Sequence, residues 1–173
     1  MTKENLIDLI LNNYKEFAAC HSQNNDMDLS EVDLSHANIE NADLTNIDFS
    51  GANFSESNLL NIKFIDCDLT GADFSRAQVS ECDFSGSILN GTSFNYAILN
   101  YCEFSEADMA GANFSEADLS DSDLSTSENL DSCRFDESTI WPDLDKLPED
   151  FDSTYNYDLS TLRDDEENEN QDY

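Results

Sequence analysis

A large apolar residue stands at every fifth position from Leu29 to Leu124, twenty times without a slip. One residue is then inserted, and the frame resumes at Leu130, Phe135 and Ile140. Two residues before each centre lies a second, smaller column that includes Ala42, Ala52, Cys67, Ala72, Cys82, Cys102 and Ala112. A polar residue, mostly Asp or Asn, separates the two columns. Ser or Thr follows the centre, and a variable residue closes the unit. A helix repeats about every 3.6 residues and a strand about every 2, so five fits neither. Two inward residues spaced by two are locally strand-like. The remaining residues must then turn a corner, or the inward face is lost. A chain that turns the same way every five residues winds into a coil, and stacked coils bury their inward columns continuously.

The centres also limit the number of sides. From Phe54 to Phe114 every centre at ten-residue spacing is Phe, and the alternating centres from Leu59 to Leu119 are Leu, Val or Met. Like stacks on like only if the coil has an even number of five-residue sides. Four sides, or twenty residues per coil, is the smallest sensible choice. Phe then lines opposite walls and aliphatic residues line the other two, a mixture that fills a narrow interior.

This pattern, A-(D/N)-(L/F)-(S/T)-X over about residues 26–141, resembles the pentapeptide-repeat family. The resemblance implies an all-β solenoid: a right-handed quadrilateral β-helix of pentapeptide repeats, with an N-terminal capping helix and a short C-terminal cap. Met27, Ile47 and Ile62 are bulky for the small column. Glu128 is expected to break that column beside the inserted residue, with a bulge or small loop at Ser125 to Asn129.

A solenoid leaves apolar surface at both ends unless something covers it. Residues 1–25 read as a capping helix and linker. Thr2 is the N-cap of a helix running to Ala19, and Leu6, Leu9, Ile10, Tyr14 and Phe17 share one face. Residues 26–141 are the repeats, closed by Trp141 and Pro142. Residues 142–163, with Leu144, Leu147, Phe151, Tyr155, Leu159 and Leu162, form either a C-terminal cap or a dimerisation segment. The second option is the one seen in family members that pair through this end, so the chain is a monomer or a homodimer joined there. Residues 164–173 read as a disordered acidic tail.

Little here suggests catalysis, and the chain is expected not to be an enzyme. His21 falls in the linker and His36 at an outward corner, and both read as solvated surface histidines. The many serines follow the centres as turn residues, their hydroxyls bonding local backbone. No GxSxG or phosphate-cradling loop occurs. The five cysteines show no CxxC spacing and sit largely in the small inward column, where they read as small buried hydrophobes. Asn24, Asp26 and Asp28 hint at a calcium loop, but its Gly and distal Glu are missing. No catalytic, cofactor or metal site is therefore expected. Gly51, Gly71, Gly91 and Gly111 form a ladder at one corner, which reads as a turn needing positive φ or a close approach. The N-terminus has no signal-peptide core or membrane span, so the cytoplasm is the expected compartment.

Charge is the informative feature. The chain carries 39 acidic and 7 basic residues, a formal net charge of −32. Residues 26–142 hold 24 acids against Lys63, Arg76 and Arg134, a net of −21. About 5.75 coils stacked at about 4.8 Å make a rod of roughly 28 Å. That is about one charge per 1.3 Å, against about one per 1.7 Å in B-DNA. Such a surface repels nucleic acid and anionic membranes and attracts basic protein surfaces. A twenty-residue coil places Asp28, Asp48, Asp68 and Asp108 on one wall and Asp43, Asp83, Glu103 and Asp123 on another. These are candidate partner-binding residues.

The expected function is a non-enzymatic protein-binding module. Its most concrete form is a DNA mimic that occupies the basic DNA-binding surface of a type II topoisomerase or another DNA-binding protein. This form resembles the gyrase-binding, quinolone-protection branch of the family. The alternative is a structural or regulatory scaffold without DNA mimicry, binding a protein partner through an apolar patch of Ile88, Tyr96, Ile98 and Tyr101. The isoleucines of that patch stand where Asp or Asn is usual.

Overall fold

The computed structural model describes residues 2–22 and 27–152. Short parallel strands and isolated parallel bridges stack at an offset of twenty residues, so each coil holds four five-residue units. Strands β1 (Met27–Asp28) and β3 (Ile47–Asp48) form one sheet. Strands β2 (Asn38–Glu40), β4 (Asn58–Leu60), β5 (Gln78–Ser80) and β6 (Ile98–Asn100) form another in that order. The molecule is a parallel β-helix, and the five-residue frame accounts for it. All twenty centres from Leu29 to Leu124 are buried, as is nearly all of the smaller column.

The alternating Phe centres become two axial stacks. Phe54, Phe74, Phe94 and Phe114 follow one another at 4.7, 5.2 and 5.2 Å with nearly parallel rings. Phe64, Phe84 and Phe104 repeat at 5.1 Å. Where the stacks meet, as in the pair Phe74 and Phe84 at 5.9 Å and 83°, the rings are edge to face. Both arrangements suit the ring quadrupole.

The corners follow one local rule. In Phe49-Ser50-Gly51-Ala52 the Ala52 amide returns to the Phe49 carbonyl at 2.9 Å, and Gly51 has φ +66°. This is the geometry of a type II turn, whose third residue needs positive φ. The Gly51, Gly71, Gly91 and Gly111 ladder meets this need without strain. Glu31, His36, Tyr96, Tyr101 and other residues adopt the same left-handed conformation at equivalent corners. Gly86 has a second constraint, since a Cβ there would lie 2.5 Å from Asp66 Oδ1.

The polar middle residue makes the corner possible. Its side-chain Oδ1 accepts the amide of the residue two further on, from Ser35 to Asp33, Ser50 to Asp48, Ser85 to Asp83 and Ser125 to Asp123. Each is an Asx turn. Some hydroxyls after the centres bond the same carboxylate, as Ser30 and Thr45 do, rather than backbone. Hydroxyls and thiols in the small column do bond backbone. Thr92, Ser122 and Cys67 donate to the carbonyls of Leu69, Leu99 and Leu44.

Four expectations need correction. The N-terminal helix is two helices, α1 (Lys3–Asn12) and α2 (Tyr14–His21), broken at Asn13 with φ −148°. Thr2 does cap α1, accepting from the Asn5 amide. The break turns α2 so that Tyr14 bonds the Asp43 backbone and His21 Nε2 donates to the Thr45 carbonyl at 2.7 Å. His21 is therefore a docking residue at a helix end and not a linker histidine. Residues 24–26 lie outside the described residues.

The insertion near residue 128 falls later than expected. Glu128 pairs with Asp108, so it holds the outward position, while Ser127 fills the small column. The extra residue is absorbed at Asn129, which has φ 58°, and the 3-10 turn Leu130–Ser132. A second extra residue then enters after Phe135. Asp118 pairs with Ile140, which puts Ile140 outward and 52% exposed instead of in the core. Trp141 takes the inward place, 6.1 Å from the Phe114 ring and 4.9 Å from Phe151. Thr139 stands in for the small residue and bonds the Phe114 carbonyl. Leu147 is buried and Leu144 is exposed. Tyr155, Leu159, Leu162 and the acidic segment 164–173 lie outside the described residues.

Candidate functional site

Outward middle residues line up in four columns. The first runs Asp28, Asp48, Asp68, Ile88, Asp108, Glu128. The next runs Asp33, Asn53, Asp73, Ser93, Asn113, Arg134. The third runs Asn38, Asn58, Gln78, Ile98, Asp118, Ile140. The fourth runs Asp43, Lys63, Asp83, Glu103, Asp123. The two expected carboxylate ladders are thus brought together as neighbours, five residues apart along each coil. Glu128 extends the first, and Lys63 interrupts the other, 3.6 Å from Asp43. Asp66 and Glu106 occupy the corner between them. The other two columns hold only Asp33, Asp73 and Asp118 as acids, with Arg134 among them and Arg76 at the corner they share.

The carboxylates are not equivalent. Lys3 donates to Asp28 at 2.7 Å and, with the Ser30 amide, holds its pKa down at about 2. Asn129 likewise holds Asp108 below the usual carboxylate range, and Ser125 does so for Asp123. At Asp43 burial pushes the carboxyl up, but Thr45 and Lys63 outweigh it and the net shift is downward. Glu103 goes the other way: burial raises it first, then the charges of Asp123 and Asp83.

The expected apolar patch is split. Tyr96, Ile98 and Tyr101 lie in succession on one side of one coil, 42%, 43% and 64% exposed. Ile88 stacks between Asp68 and Asp108, half a coil from Ile98, so it faces the opposite direction and cannot join them. Arg76 sits 4.9 Å above the Tyr96 ring, a cation–π contact. Counting by twenty in the sequence would have separated the two isoleucines. No such count reveals Ile140, because two extra residues precede it.

Cys67, Cys82, Cys102 and Cys133 are buried, and burial raises all four thiol pKa values, to about 12 for Cys67, Cys82 and Cys133. Among the described residues, no group of three or more His, Cys, Asp or Glu is placed to hold a metal ion. Among them, too, no helix is long and apolar enough to cross a membrane.

Coils of twenty residues built from tandem five-residue units define a repeat β-helix. The sequence matches the family model described as pentapeptide repeat region over residues 59–140, and the one described as pentapeptide repeats (8 copies) over residues 25–51. The chain belongs to the pentapeptide-repeat family, whose members are right-handed β-helices. Similar solved structures include a pentapeptide repeat protein from the Arabidopsis thaliana thylakoid lumen, 29% identical, covering 56% of this chain and 70% of that one with a TM-score of 0.45. A pentapeptide repeat protein from the cyanobacterium Cyanothece is 17% identical, with 73% and 98% covered and a TM-score of 0.36. QnrB1, a plasmid-mediated fluoroquinolone resistance protein, is 16% identical, with 68% and 79% covered and a TM-score of 0.37. No curated protein matches the sequence.

Proposed function

We propose that the chain is a non-enzymatic protein-binding module whose acidic side occupies a basic, DNA-holding surface of a partner such as a type II topoisomerase. One observation carries this reading: the turns do not need the charge. Asn53 and Asn113 accept the same amide hydrogen bond, at 2.9 and 3.1 Å, that Asp48 accepts at 2.9 Å. A neutral Asn serves the corner as well as Asp does. Yet the two adjacent acidic columns use Asp or Glu at every position except Ile88 and Lys63, and never Asn. Stacked like charges cost stability, so a demand other than folding favours them there. An acidic side, on a rod whose total net charge per length is about that of B-DNA, meets the demand of a basic groove.

The finer architecture belongs to the same reading. Four left-handed corners in each of the first four coils suit a quadrilateral rod. Helices α1 and α2 act as its N-terminal cap, and residues 142–152 begin a C-terminal one. The rigid rod presents its carboxylates without ordering on binding.

The test is DNA gyrase supercoiling with added chain at two salt concentrations, beside competition between the chain and DNA for the enzyme. Inhibition at low salt that fades as salt rises is expected. Asp48→Asn, Asp68→Asn and Asp108→Asn together should remove most of it while keeping the turns. Failure to compete with DNA at low salt would sink the topoisomerase reading.

A further inference from the structure

The side opposite the acidic first column carries its own pattern. In one coil Tyr96, Ile98 and Tyr101 present an apolar row, and all three are well exposed. In the next coil the equivalent places hold Glu116, Asp118 and Asp121, an acidic row, since Ile98 pairs with Asp118. One coil further Ile140 pairs with Asp118 and is again exposed. Stacked strands are about 4.8 Å apart. Ile98 and Ile140 therefore stand about 10 Å apart along the axis, with a carboxylate midway. Tyr96 is partly fixed: Arg76 stacks on its ring, and the neighbouring Glu116 carboxylate pushes its hydroxyl pKa up.

An α-helix rises about 1.5 Å per residue, so its positions i and i+7 are about 10.5 Å apart on one face. Positions i+3 and i+4 fall between them, about 5 Å from each. We infer that this side is a second docking surface, and that its occupant is a basic amphipathic helix of a partner protein laid along the rod axis. Apolar side chains at i and i+7 cover Ile98 and Ile140, and Lys or Arg at i+3 or i+4 meets Asp118, with Glu116 and Asp121 on either flank. This is the helix-in-groove mode of recognition on a flat wall, with charge complementarity setting the register. A second copy of this chain is disfavoured by its net charge of −32. The surface lies half a coil from the acidic first column, so one molecule offers two separate contacts. The inference does not depend on DNA mimicry.

The probe is a short synthetic helical peptide with Leu at i and i+7 and Lys at i+3 and i+4. A peptide of the same composition with these positions permuted controls for general attraction to an acidic chain. Fluorescence anisotropy against the full chain should give at least about a tenfold preference for the patterned peptide. Ile98→Ser with Ile140→Ser should erase that ratio. Both residues are exposed, so the melting midpoint should match that of the native chain. Asp48→Asn, Asp68→Asn and Asp108→Asn should weaken both peptides alike and keep the ratio. Equal binding of the two peptides by the native chain would overturn the inference. So would a preference that survives the isoleucine substitutions. Self-association in sedimentation that disappears with those substitutions would assign the surface to a second copy instead.

Discussion

In the fourth coil Ile88 and Ile98 occupy equivalent outward places half a coil apart, on the same backbone and above the same Phe stacks. Above and below Ile88 stand Asp68 and Asp108; above and below Ile98 stand Gln78 and Asp118. The Asp28 column is acidic at every other position, whereas the Asn38 column starts with three amides. Asn58 bonds Asn38 at 3.1 Å as a neutral ladder. The core cannot tell these sides apart, because the middle residue points away from it. Outward chemistry in this fold is therefore free to vary column by column, and the segregation of charge records something the fold does not require.

That comparison presumes one cooperative scaffold beneath both sides, and the largest effect comes from breaking it. Phe84 touches four other rings, stacked on Phe64 and Phe104 and edge-on to Phe74 and Phe94. Phe84→Ala should cost about 3–5 kcal/mol, read by denaturant unfolding. It should disturb the acidic side and the tyrosine side together. Loss confined to one side would show that the columns are supported separately.

The next effect sharpens the comparison from outside. Asp48→Asn, Asp68→Asn and Asp108→Asn preserve the Asx turns while removing stacked like charge. The thermal midpoint should rise by a few degrees at low salt, and the gain should shrink at high salt. The neutral ladder offers no such gain, so Asn58→Gln should leave the salt dependence of melting unchanged. A fall in midpoint for the triple variant would mean that the carboxylates stabilise the turns beyond what Asn can, and the argument for a selected acidic side would lose its footing.

The five-residue frame made most of this legible. It located every centre from Leu29 to Leu124, the glycine corner and both carboxylate ladders, because each follows from position alone. Legibility ended where the count slipped. A single insertion after Leu124 kept Ile140 on the centres, and it is the pairing of Ile140 with Asp118, with the bond from the Leu119 amide to its carbonyl, that places it outward and Trp141 inward. Nothing in the apolar character of Ile140 could signal the second extra residue. The break at Asn13 was hidden for a similar reason. The apolar spacing from Leu6 to Phe17 suits one helix, while the contacts of Tyr14 and His21 with the first coils override it.

A smaller effect concerns the first carboxylate of the acidic column, the only one in it that a lysine pairs. Lys3 also donates to the Ser30 carbonyl and hydroxyl, so it ties α1 to the first coil. Asp28 is lowered to about 2 by that contact, against about 3.9 in an unfolded chain. Because the folded value is the lower one, the contribution is complete above about pH 4 and is lost as pH falls through about 2. Amide exchange in α1 should accelerate over that window while the Phe stacks stay protected. Lys3→Met should give the faster exchange already at neutral pH.

The smallest effect tests the one carboxylate that the columns hold under tension. Glu103 has a longer side chain than its neighbours and accepts no amide bond from Ser105 among the described residues, whereas Asp83 and Asp123 each accept one. Partial burial raises its pKa first, and the charges of Asp123 and Asp83 add to the rise without the amide bond that those two receive. A raised acid pKa means that the folded chain holds the proton more tightly than the unfolded one. The cost of ionised Glu103 is therefore fully present above the folded value and is relieved as pH falls from that value to the lower unfolded one. Glu103→Gln should raise the melting midpoint slightly at pH 7, and that gain should vanish below about pH 4, where the unfolded carboxyl is also protonated. Glu103→Asp should recover part of the gain at neutral pH by forming the Asx turn. If Glu103→Gln lowers the midpoint at pH 7, the ladder is not repulsive at this point, and stacked carboxylates in this column do not oppose folding as the comparison with the amide column requires.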